Sequence, residues 1–383
     1  MKLLSRIKPL LAFYYCLQFC LLKDFQKGRI KIRVEDEDCH TVIENYLTKK
    51  LKKLGGKIHT GRSRNDQVLT ALRLYMRDQL NEIRKKSKRL AKNFLDFAGQ
   101  YKSVAIPGYS HTQQAMLSSI GHYFCAYTES MINDIEFLDS VAEHINKNPL
   151  GSAAGFGVSL LLDREFTTKE LKFRKPQINS LYCQNSRGKF ESIYLEALVQ
   201  IMLTLGRFAS DILLFTSQEF NYFNVKNSLV TGSSIMPQKR NHDAMEILRG
   251  QVSVIMNNQH LIQDIVKGLI SGYNRDLQLI KKPLFESTHI VLDSLEIVIT
   301  YLQGLEPNEA SINAKISKGI FAADIATEIA KSKKVPFRKA YQQAMTHLKK
   351  YKPDLKENLK SKISLGAPGN LDINHYKYKL QKL

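Results

Sequence analysis

The sequence has 383 residues, of which 43% are hydrophobic and 24% are charged. These fractions are typical of a globular protein and exclude an intrinsically disordered chain. A net charge of +21 raises the question of a nucleic-acid partner. The lysine runs, such as those at 49–53 and 85–88, are however spread along the chain, within or beside apparent helices. Solvated helix faces explain such runs roughly three times better than a nucleic-acid surface does, so we predict no nucleic-acid partner.

The cysteines show neither a disulfide framework nor a metal site. No CxxC pair and no Cys/His cluster with metal spacing occurs among the five cysteines, which are Cys16, Cys20, Cys39, Cys125 and Cys183. An odd, scattered set in a long chain is typical of reduced thiols in a cytoplasmic protein. We therefore predict a cytoplasmic protein without a bound metal.

An apolar run near the N-terminus has two interpretations. Residues 10–22 (LLAFYYCLQFCLL) follow three basic residues, as the core of a signal peptide would. No small-x-small cleavage site follows, and the run is too short to span a bilayer as a helix. We favour a buried helix over a targeting remnant, and we predict no membrane partner.

Helical periodicity over long stretches dominates the rest of the chain. Apolar residues recur at helical spacing from Phe190 to Phe215 and from Val68 to Phe94. Ser63 and Asp66 form a plausible capping arrangement ahead of the second stretch. Further helices are predicted at about 113–145, 244–270, 284–305 and 322–330. Because strand-like alternation is almost absent, we predict an all-α, long-helix bundle.

We predict three domains. Residues 1–60 would form a truncated N-terminal helical domain, 61–305 a central long-helix bundle with the catalytic loops, and 306–383 a small C-terminal helical domain. Polar and charged residues concentrate in most of the intervening loops, as they do where loops carry function on a rigid scaffold. The loops are Gly55–Asn65, Val104–Thr112, Pro149–Asp163, Lys226–Arg240 and Ser271–Lys282.

The first of these loops places Arg62, Arg64 and Asn65 at a predicted helix start. Unpaired N–H groups at a helix start and bidentate guanidinium groups both favour carboxylates. A di- or tricarboxylate site and an ordinary helix cap with two surface arginines explain this pattern about equally well.

The second loop places His111 beside Ser110 and before a predicted helix. A lone histidine is more often structural than catalytic. The neighbouring hydroxyl, the amide of Gln113 and a Pro-Gly turn favour a functional histidine here.

The stretch Thr231–Asn241 (TGSSIMPQKRN) carries the strongest chemical pattern. Its Gly-Ser-Ser tip exposes Ser233, and Lys239 and Asn241 add a cation and an amide donor. Together these groups could stabilise a dianionic carboxylate as a proton leaves the adjacent carbon. The pattern differs from the G-x-S-x-G elbow of serine hydrolases, and a plain serine-rich linker would not explain its Met-Pro-Gln-Lys. Tyr273, Gln278 and Lys281 form a weaker set at a loop-to-helix junction.

Four segments follow one another in the chain: HTGRSRNDQ, IPGYSHTQQ, GSSIMPQKRN and YNRDLQLIK. In this order they resemble the signature segments of the argininosuccinate lyase family, a branch of the fumarase/aspartase superfamily. The Gly-Ser-Ser-x-Met-Pro-x-Lys element resembles a segment that marks the whole superfamily, whereas HTGRSRNDQ resembles a segment that marks the argininosuccinate branch. The resemblance extends from about Val34 to beyond Ala340.

The resemblance implies a fold and a reaction. It implies a homotetramer whose central helices form one bundle, with each active site assembled from three subunits and with no cofactor. The reaction would be the reversible β-elimination of argininosuccinate to L-arginine and fumarate through an aci-carboxylate intermediate, in arginine biosynthesis.

The same resemblance implies residue roles. Ser233 matches the base that removes the Cβ proton, and His111, paired with Glu246, matches a general acid or proton shuttle. The roles of base and acid can be assigned either way between Ser233 and His111. Lys239 and Asn241 would hold the carboxylate that becomes the aci-carboxylate. The matching substrate-binding positions are Asn65, Ser110, Tyr273, Gln278 and Lys281, with Arg62 and Arg64 as further candidates.

The sequence departs from the family pattern at its start and near two site residues. Only Met1–Arg33 precede VEDEDCH, where the family has some dozens more residues, so we expect a shortened N-terminal segment. His242 replaces the usual proline after Asn241, and Thr112 follows His111 in place of leucine. A catalytically impaired, truncated paralogue with a structural or assembly role is therefore the alternative to an active lyase.

Overall fold

The computed structural model describes residues 21–36, 38–57 and 59–383. Residues 21–26 are helical. Nearly all of the apolar run 10–22 lies outside the described residues, so its predicted helix stays a prediction.

The described chain is dominated by helices. The helices are α1 (Cys39–Leu51), α2 (Arg64–Gln100), α3 (Ile120–Ile145), α4 (Arg164–Glu170), α5 (Ser180–Asn185), α6 (Lys189–Phe215), α7 (Asp243–Val266), α8 (Lys281–Leu302), α9 (Glu309–Lys315), α10 (Ala322–Lys333), α11 (Phe337–Lys350), α12 (Leu355–Ser361) and α13 (Ile373–Lys382). Short 3-10 helices are Val34–Asp36, Lys52–Lys57, Asn227–Leu229, Arg275–Gln278 and Lys318–Phe321. The strands are β1 (Ala105–Ser110), β2 (Gln113–Ser119), β3 (Lys147–Asn148), β4 (Lys175–Pro176), β5 (Phe223–Val225) and β6 (Leu305–Pro307). The predicted all-α class is confirmed.

Helix α6 shows why these residues form long helices. Its apolar residues repeat at helical spacing, and Tyr194, Leu198 and Ile201 are fully buried. By length and composition α6 could cross a membrane, but 61% of its most apolar window is buried within the protein. Its apolarity is therefore that of a core helix.

The start of α2 matches the predicted cap. The backbone N–H of Ser63 donates to Oδ1 of Asp66 (2.9 Å), and Oγ of Ser63 accepts from the N–H of Asn65 (3.2 Å). Both bonds satisfy donors that a helix start leaves unpaired.

The chain divides into two compact units. The first comprises the described residues up to Leu74, Asn146–Arg187 and Ile270–Asn274, and the second comprises Tyr75–Ile145, Gly188–Leu269 and Arg275–Leu383. The division into domains at 60/61 and 305/306 stays a prediction.

In the first unit, Arg164 fixes the segment between β3 and α5. Its guanidinium donates to the backbone oxygens of Leu150 (3.1 Å), Gln177 (2.6 Å) and Ile178 (3.0 Å). The charge and planarity of the group suit several carbonyls at once, so one side chain holds three loop positions.

In the second unit, the core is built from the inward faces of long helices. Phe94 of α2 lies against Phe124 of α3 and Phe208 of α6, with ring centroids 6.0 and 5.1 Å apart. Aromatic pairs at such distances add to the burial energy. A second cluster packs Leu117 of β2 against Phe321 and Ile325 near the start of α10.

The segment 104–119 differs from its prediction. A loop over Val104–Thr112 and a helix from Gln113 were expected, but β1 and β2 form an antiparallel hairpin that ends at Ser119. Ser110 pairs with Gln113, so His111 and Thr112 form its turn, with φ of 50° and 61°. Two-residue hairpin turns usually use glycine or asparagine at such angles. Because neither residue stands at the turn, no local signal predicts the hairpin.

Candidate active site

The 231–241 loop, which comprises Thr231–Asn241, is closed at its base. The backbones of Thr231 and Asn241 exchange two hydrogen bonds of 3.0 and 2.9 Å. The Nδ2 of Asn241 also donates to the backbone oxygen of Gly232 (3.2 Å). The chain enters α7 two residues later, at Asp243. The loop is therefore a defined structure and not the flexible linker that its composition would also allow.

The hydroxyl of Ser233 is the centre of the loop tip. Its Oγ accepts hydrogen bonds from the backbone N–H groups of Ile235 (3.3 Å) and Met236 (3.1 Å). Donors aimed at an oxygen favour its anionic form. The arrangement can thus support a serine that gives up its proton.

The structure places three further predicted residues on the same loop and helix. Lys239 is exposed, Asn241 stands at the base, and Glu246 lies in the first turn of α7 with an exposed side chain. The loop–helix segment therefore brings together Ser233, Lys239, Asn241 and Glu246 within 14 consecutive residues.

Ser110 and His111 lie at the exposed tip of the β1–β2 hairpin, not before a helix as predicted. Two contacts hold the hairpin on either side of its tip. The hydroxyls of Tyr109 and Tyr222 share a hydrogen bond of 2.6 Å. The side chain of Gln114 donates to the backbone oxygen of Lys315 (2.7 Å) and accepts from the N–H of Ser317 (2.9 Å).

Among the described residues of one chain, the tip of the β1–β2 hairpin is not bonded to the 231–241 loop or to the start of α7. Within residues 21–36, 38–57 and 59–383, no hydrogen bond or ion pair links His111 to Ser233 or Glu246. Gln278 ends the 3-10 helix before α8, and Lys281 is the first residue of α8. Both lie in the second unit.

The first unit carries the arginine-rich candidates. Arg64 donates to Oγ1 of Thr41 (2.8 Å) and pairs with Asp38 (3.3 Å), so it ties α2 to the start of α1. Arg62 lines a cavity of about 640 Å³ together with Gln67 and Arg164. Asn65, in the first turn of α2, is half-buried.

Tyr273 is the remaining predicted residue of the first unit. Its ring lies beneath the guanidinium of Arg187, whose carbon is 5.2 Å from the ring centroid. A cation over an aromatic face is attracted to it, so the phenol is held in place by Arg187.

Asp66 is a structural residue whose full role the sequence reasoning missed. Besides capping α2, it accepts hydrogen bonds at Oδ2 from the N–H groups of Gly151 (2.9 Å) and Ala153 (3.0 Å). Burial raises the pKa of its carboxyl, while these bonds, that from Ser63 and the nearby Arg62 oppose the rise. Gly151 has a φ of 88°, and a side chain there would meet Arg164. The glycines of the 151–157 segment indicate an unusual backbone there, but they do not identify Asp66 as its partner.

No group of three or more His, Cys, Asp or Glu residues that could hold a metal ion occurs in the described part of the chain. The expected absence of a metal and of a cofactor stays a prediction.

Comparisons with known proteins agree with the four signature segments. A family profile described as lyase matches residues 20–257. An argininosuccinate lyase of Thermotoga neapolitana is 41% identical over 321 residues, which cover 84% of this chain and 80% of that protein. An argininosuccinate lyase of Xanthomonas euvesicatoria pv. vesicatoria is 39% identical over 367 residues, which cover 95% and 84% of the two chains.

Solved structures share the fold at lower identity. An EDDS lyase in complex with formate matches with a TM-score of 0.78 at 20% identity, over 89% of this chain and 76% of that one. A class II fumarase from Schistosoma mansoni matches with a TM-score of 0.67 at 17% identity, over 80% and 73% of the two chains. The structural likeness supports the superfamily fold, and the 39–41% identity over most of both sequences shows that the chain belongs to the argininosuccinate lyase family of the fumarase/aspartase superfamily.

Proposed function

We propose that this protein cleaves argininosuccinate to L-arginine and fumarate. The closed 231–241 loop carries the proposal, because two backbone N–H groups hydrogen-bond to Oγ of Ser233 at its tip. The identity to argininosuccinate lyases over most of the chain supports the same substrate.

The first step is removal of a proton from the carbon beside a substrate carboxylate. Ser233 as an alkoxide takes this proton, and the electron pair moves into the carboxylate to give an aci-carboxylate. The N–H groups of Ile235 and Met236 stabilise the alkoxide. Lys239 and Asn241 stabilise the doubly negative aci-carboxylate, since a cation and an amide donor are stronger partners as charge develops.

The second step is loss of the guanidino nitrogen. The electron pair returns to form the carbon–carbon double bond of fumarate, and the carbon–nitrogen bond breaks. His111, paired with Glu246, donates a proton to the departing nitrogen. No negative charge then remains on that nitrogen, and arginine leaves. The opposite assignment, with His111 as base and Ser233 as acid, uses the same atoms.

Substrate binding is assigned to residues with donors for carboxylates. In the second unit, we assign Ser110, Gln278 and Lys281. In the first unit, we assign Asn65 and Tyr273, with Arg62 as a further candidate. Arg64 is also a candidate, although its contacts with Asp38 and Thr41 account for its position structurally.

The active form is a homotetramer in which three subunits complete each site. The exposure of His111, Lys239 and Gln278 supports this assembly, because catalysis usually needs groups shielded from bulk water. Helix α7 also exposes apolar residues at intervals of seven, with exposed fractions of 61% at Ile247, 38% at Val254 and 47% at Leu261. Such a stripe fits a helix–helix interface between copies. The cytoplasm is the proposed location.

The test is the appearance of fumarate absorbance when purified protein is mixed with argininosuccinate. We expect fumarate from the wild type and a loss of about 1,000-fold or more with Ser233→Ala. Ser234→Ala is the matched control, because it removes the neighbouring hydroxyl from the same loop and should leave the rate within about threefold. Equal rates from both variants would overturn the role of Ser233. A folded tetramer that releases no fumarate would favour the impaired paralogue.

A further inference from the structure

We propose that His242 is a positioning residue that holds the base of the 231–241 loop through its hydrogen bond to Tyr301. Its link to catalysis rests on the proposed function, whereas its anchoring of the loop does not. His242 follows Asn241 directly and lies outside the set of site residues assigned above.

The contact joins the start of α7 to the end of α8. Nδ1 of His242 lies 2.7 Å from the hydroxyl of Tyr301, and the two rings meet edge to face with centroids 6.3 Å apart. Tyr301 is only 1% exposed, so its ring is held in place by the surrounding core. His242 is half-buried. The imidazole therefore connects the loop to a rigid helix.

Within the described residues, the other hydrogen bonds at this base are internal to it. Thr231 and Asn241 bond to each other through their backbones, and Oγ1 of Thr231 lies 2.5 Å from Oδ2 of Asp243. These bonds close the loop but do not attach its C-terminal arm to another helix. The His242 imidazole makes that attachment.

The end of α8 also holds the N-terminal arm that leads into the loop. The backbone N–H of Lys226 donates to the oxygen of Gly304 (2.9 Å), and its Nζ donates to the oxygen of Gln303 (3.1 Å). The end of α8 is thus hydrogen-bonded to both arms of the loop, through Tyr301 to the C-terminal arm and through Gln303 and Gly304 to the N-terminal arm. Loss of one attachment would let the loop rotate about the other.

The imidazole is used for this contact and not for capping α7. His242 is the N-cap of α7, yet its side chain makes no capping hydrogen bond. Burial lowers its pKa, although Glu246 and Asp243 oppose the change. The neutral ring keeps one nitrogen as an acceptor and one as a donor, so either direction of hydrogen bond with a phenol is available.

A shift of the C-terminal arm of the loop would displace the reacting groups. Asn241 is adjacent to His242, and Ser233 sits on the tip that the base supports. Misplacement of catalytic groups by about 1 Å can cost on the order of 100-fold in rate. A positioning residue should therefore change kcat more than KM.

The experiment uses the whole 383-residue chain with His242→Ala, Tyr301→Phe and His242→Asn. Asparagine places its amide oxygen or nitrogen close to the position of Nδ1, and so it should restore the contact with Tyr301. Tyr194→Phe is the matched control, because Tyr194 loses an equally buried hydroxyl contact, to Thr288 (2.9 Å), away from the loop.

The first readout is trypsin cleavage of the folded protein after Lys239 or Arg240, both of which are exposed in the loop. Loss of the hydrogen bond should speed cleavage there about tenfold in His242→Ala and Tyr301→Phe. His242→Asn and Tyr194→Phe should cleave at the wild-type rate. Equal cleavage rates in all variants would overturn the anchoring.

The second readout is the kinetics of fumarate release. We expect kcat to fall about tenfold in His242→Ala and Tyr301→Phe with KM within about threefold, and His242→Asn to recover it. Faster cleavage with unchanged kcat would overturn the positioning role. If the wild type releases no fumarate, the proposed function fails, and the cleavage rates alone decide whether His242 anchors the loop.

Discussion

The turn residues His111 and Thr112 occupy backbone angles that L-residues rarely adopt. Both have positive φ, and Thr112 is β-branched, which makes the left-handed region costly. Such strain persists where surrounding contacts determine the conformation, and the Tyr109–Tyr222 and Gln114–Lys315 bonds do so here. The hairpin thus holds His111 in a strained, exposed position.

Thr112→Gly should raise the free energy of unfolding by about 1 kcal/mol, because glycine adopts positive φ without steric cost. Urea denaturation measures the change. Gln113→Gly is the control, since Gln113 is in the extended strand β2 and should lose about 0.5–1 kcal/mol. Destabilisation of similar size in both variants would contradict strain at Thr112.

Asp66 shows what sequence can and cannot predict at this scale. Its bond with the N–H of Ser63 is local, and the spacing of three residues predicted it. Its bonds with Gly151 and Ala153 span 85 and 87 residues. No local pattern encodes a partner at that distance.

Asp66→Asn should lower the free energy of unfolding by about 2–4 kcal/mol. The amide keeps one acceptor oxygen, so buried N–H groups on one side would face an NH2 group. Thermal and urea denaturation provide the measurement. Asp163→Asn is the control: this N-cap of α4 accepts one exposed bond, from Phe166 (2.8 Å), and should lose under about 1 kcal/mol. Equal losses would refute the special role of Asp66.

At the scale of elements, periodicity predicted the long helices well. The stretch Phe190–Phe215 became α6, and the predicted helix 244–270 became α7 at Asp243–Val266. Helix α8 starts at Lys281, three residues earlier than predicted, because Pro283 is tolerated in a first turn. The hairpin was wrong in type, since its partners and turn are set by tertiary contacts.

The face between α3 and α6 contains a carboxyl that should make stability depend on pH. Burial raises the pKa of Asp134 to about 6, although a hydrogen bond from Thr204 (2.7 Å) opposes the rise. The folded state therefore holds this proton more tightly than the unfolded state does. Stability is unaffected below the unfolded pKa and falls as pH rises from about 4 to about 6.

Asp134→Asn should remove this fall. The variant and the wild type should be similar near pH 4, and the variant should be more stable by up to about 2 kcal/mol near pH 7. Urea denaturation across that range measures the difference. Asp96→Asn, at an exposed position of α2, should show no such growth with pH. A constant difference between Asp134→Asn and the wild type would contradict the raised pKa.

At the scale of the whole molecule, the sequence predicted the family and the fold class, but not the geometry of the candidate site. The segments HTGRSRNDQ and GSSIMPQKRN carry the family resemblance within single loops. In the proposed homotetramer three subunits complete each site, so the meeting of His111 and Ser233 is a matter of assembly and leaves no pattern within a single loop. The +21 charge fits an anionic substrate and need not involve nucleic acid.

The most direct test of the central claim is proton NMR of argininosuccinate incubated with the purified protein in D2O. The account predicts equal amounts of arginine and fumarate. Back-reaction should place one deuterium on the carbon that loses the proton, since solvent exchanges with the catalytic acid and base. Intact argininosuccinate after prolonged incubation, with neither product and no deuterium, would contradict an active lyase.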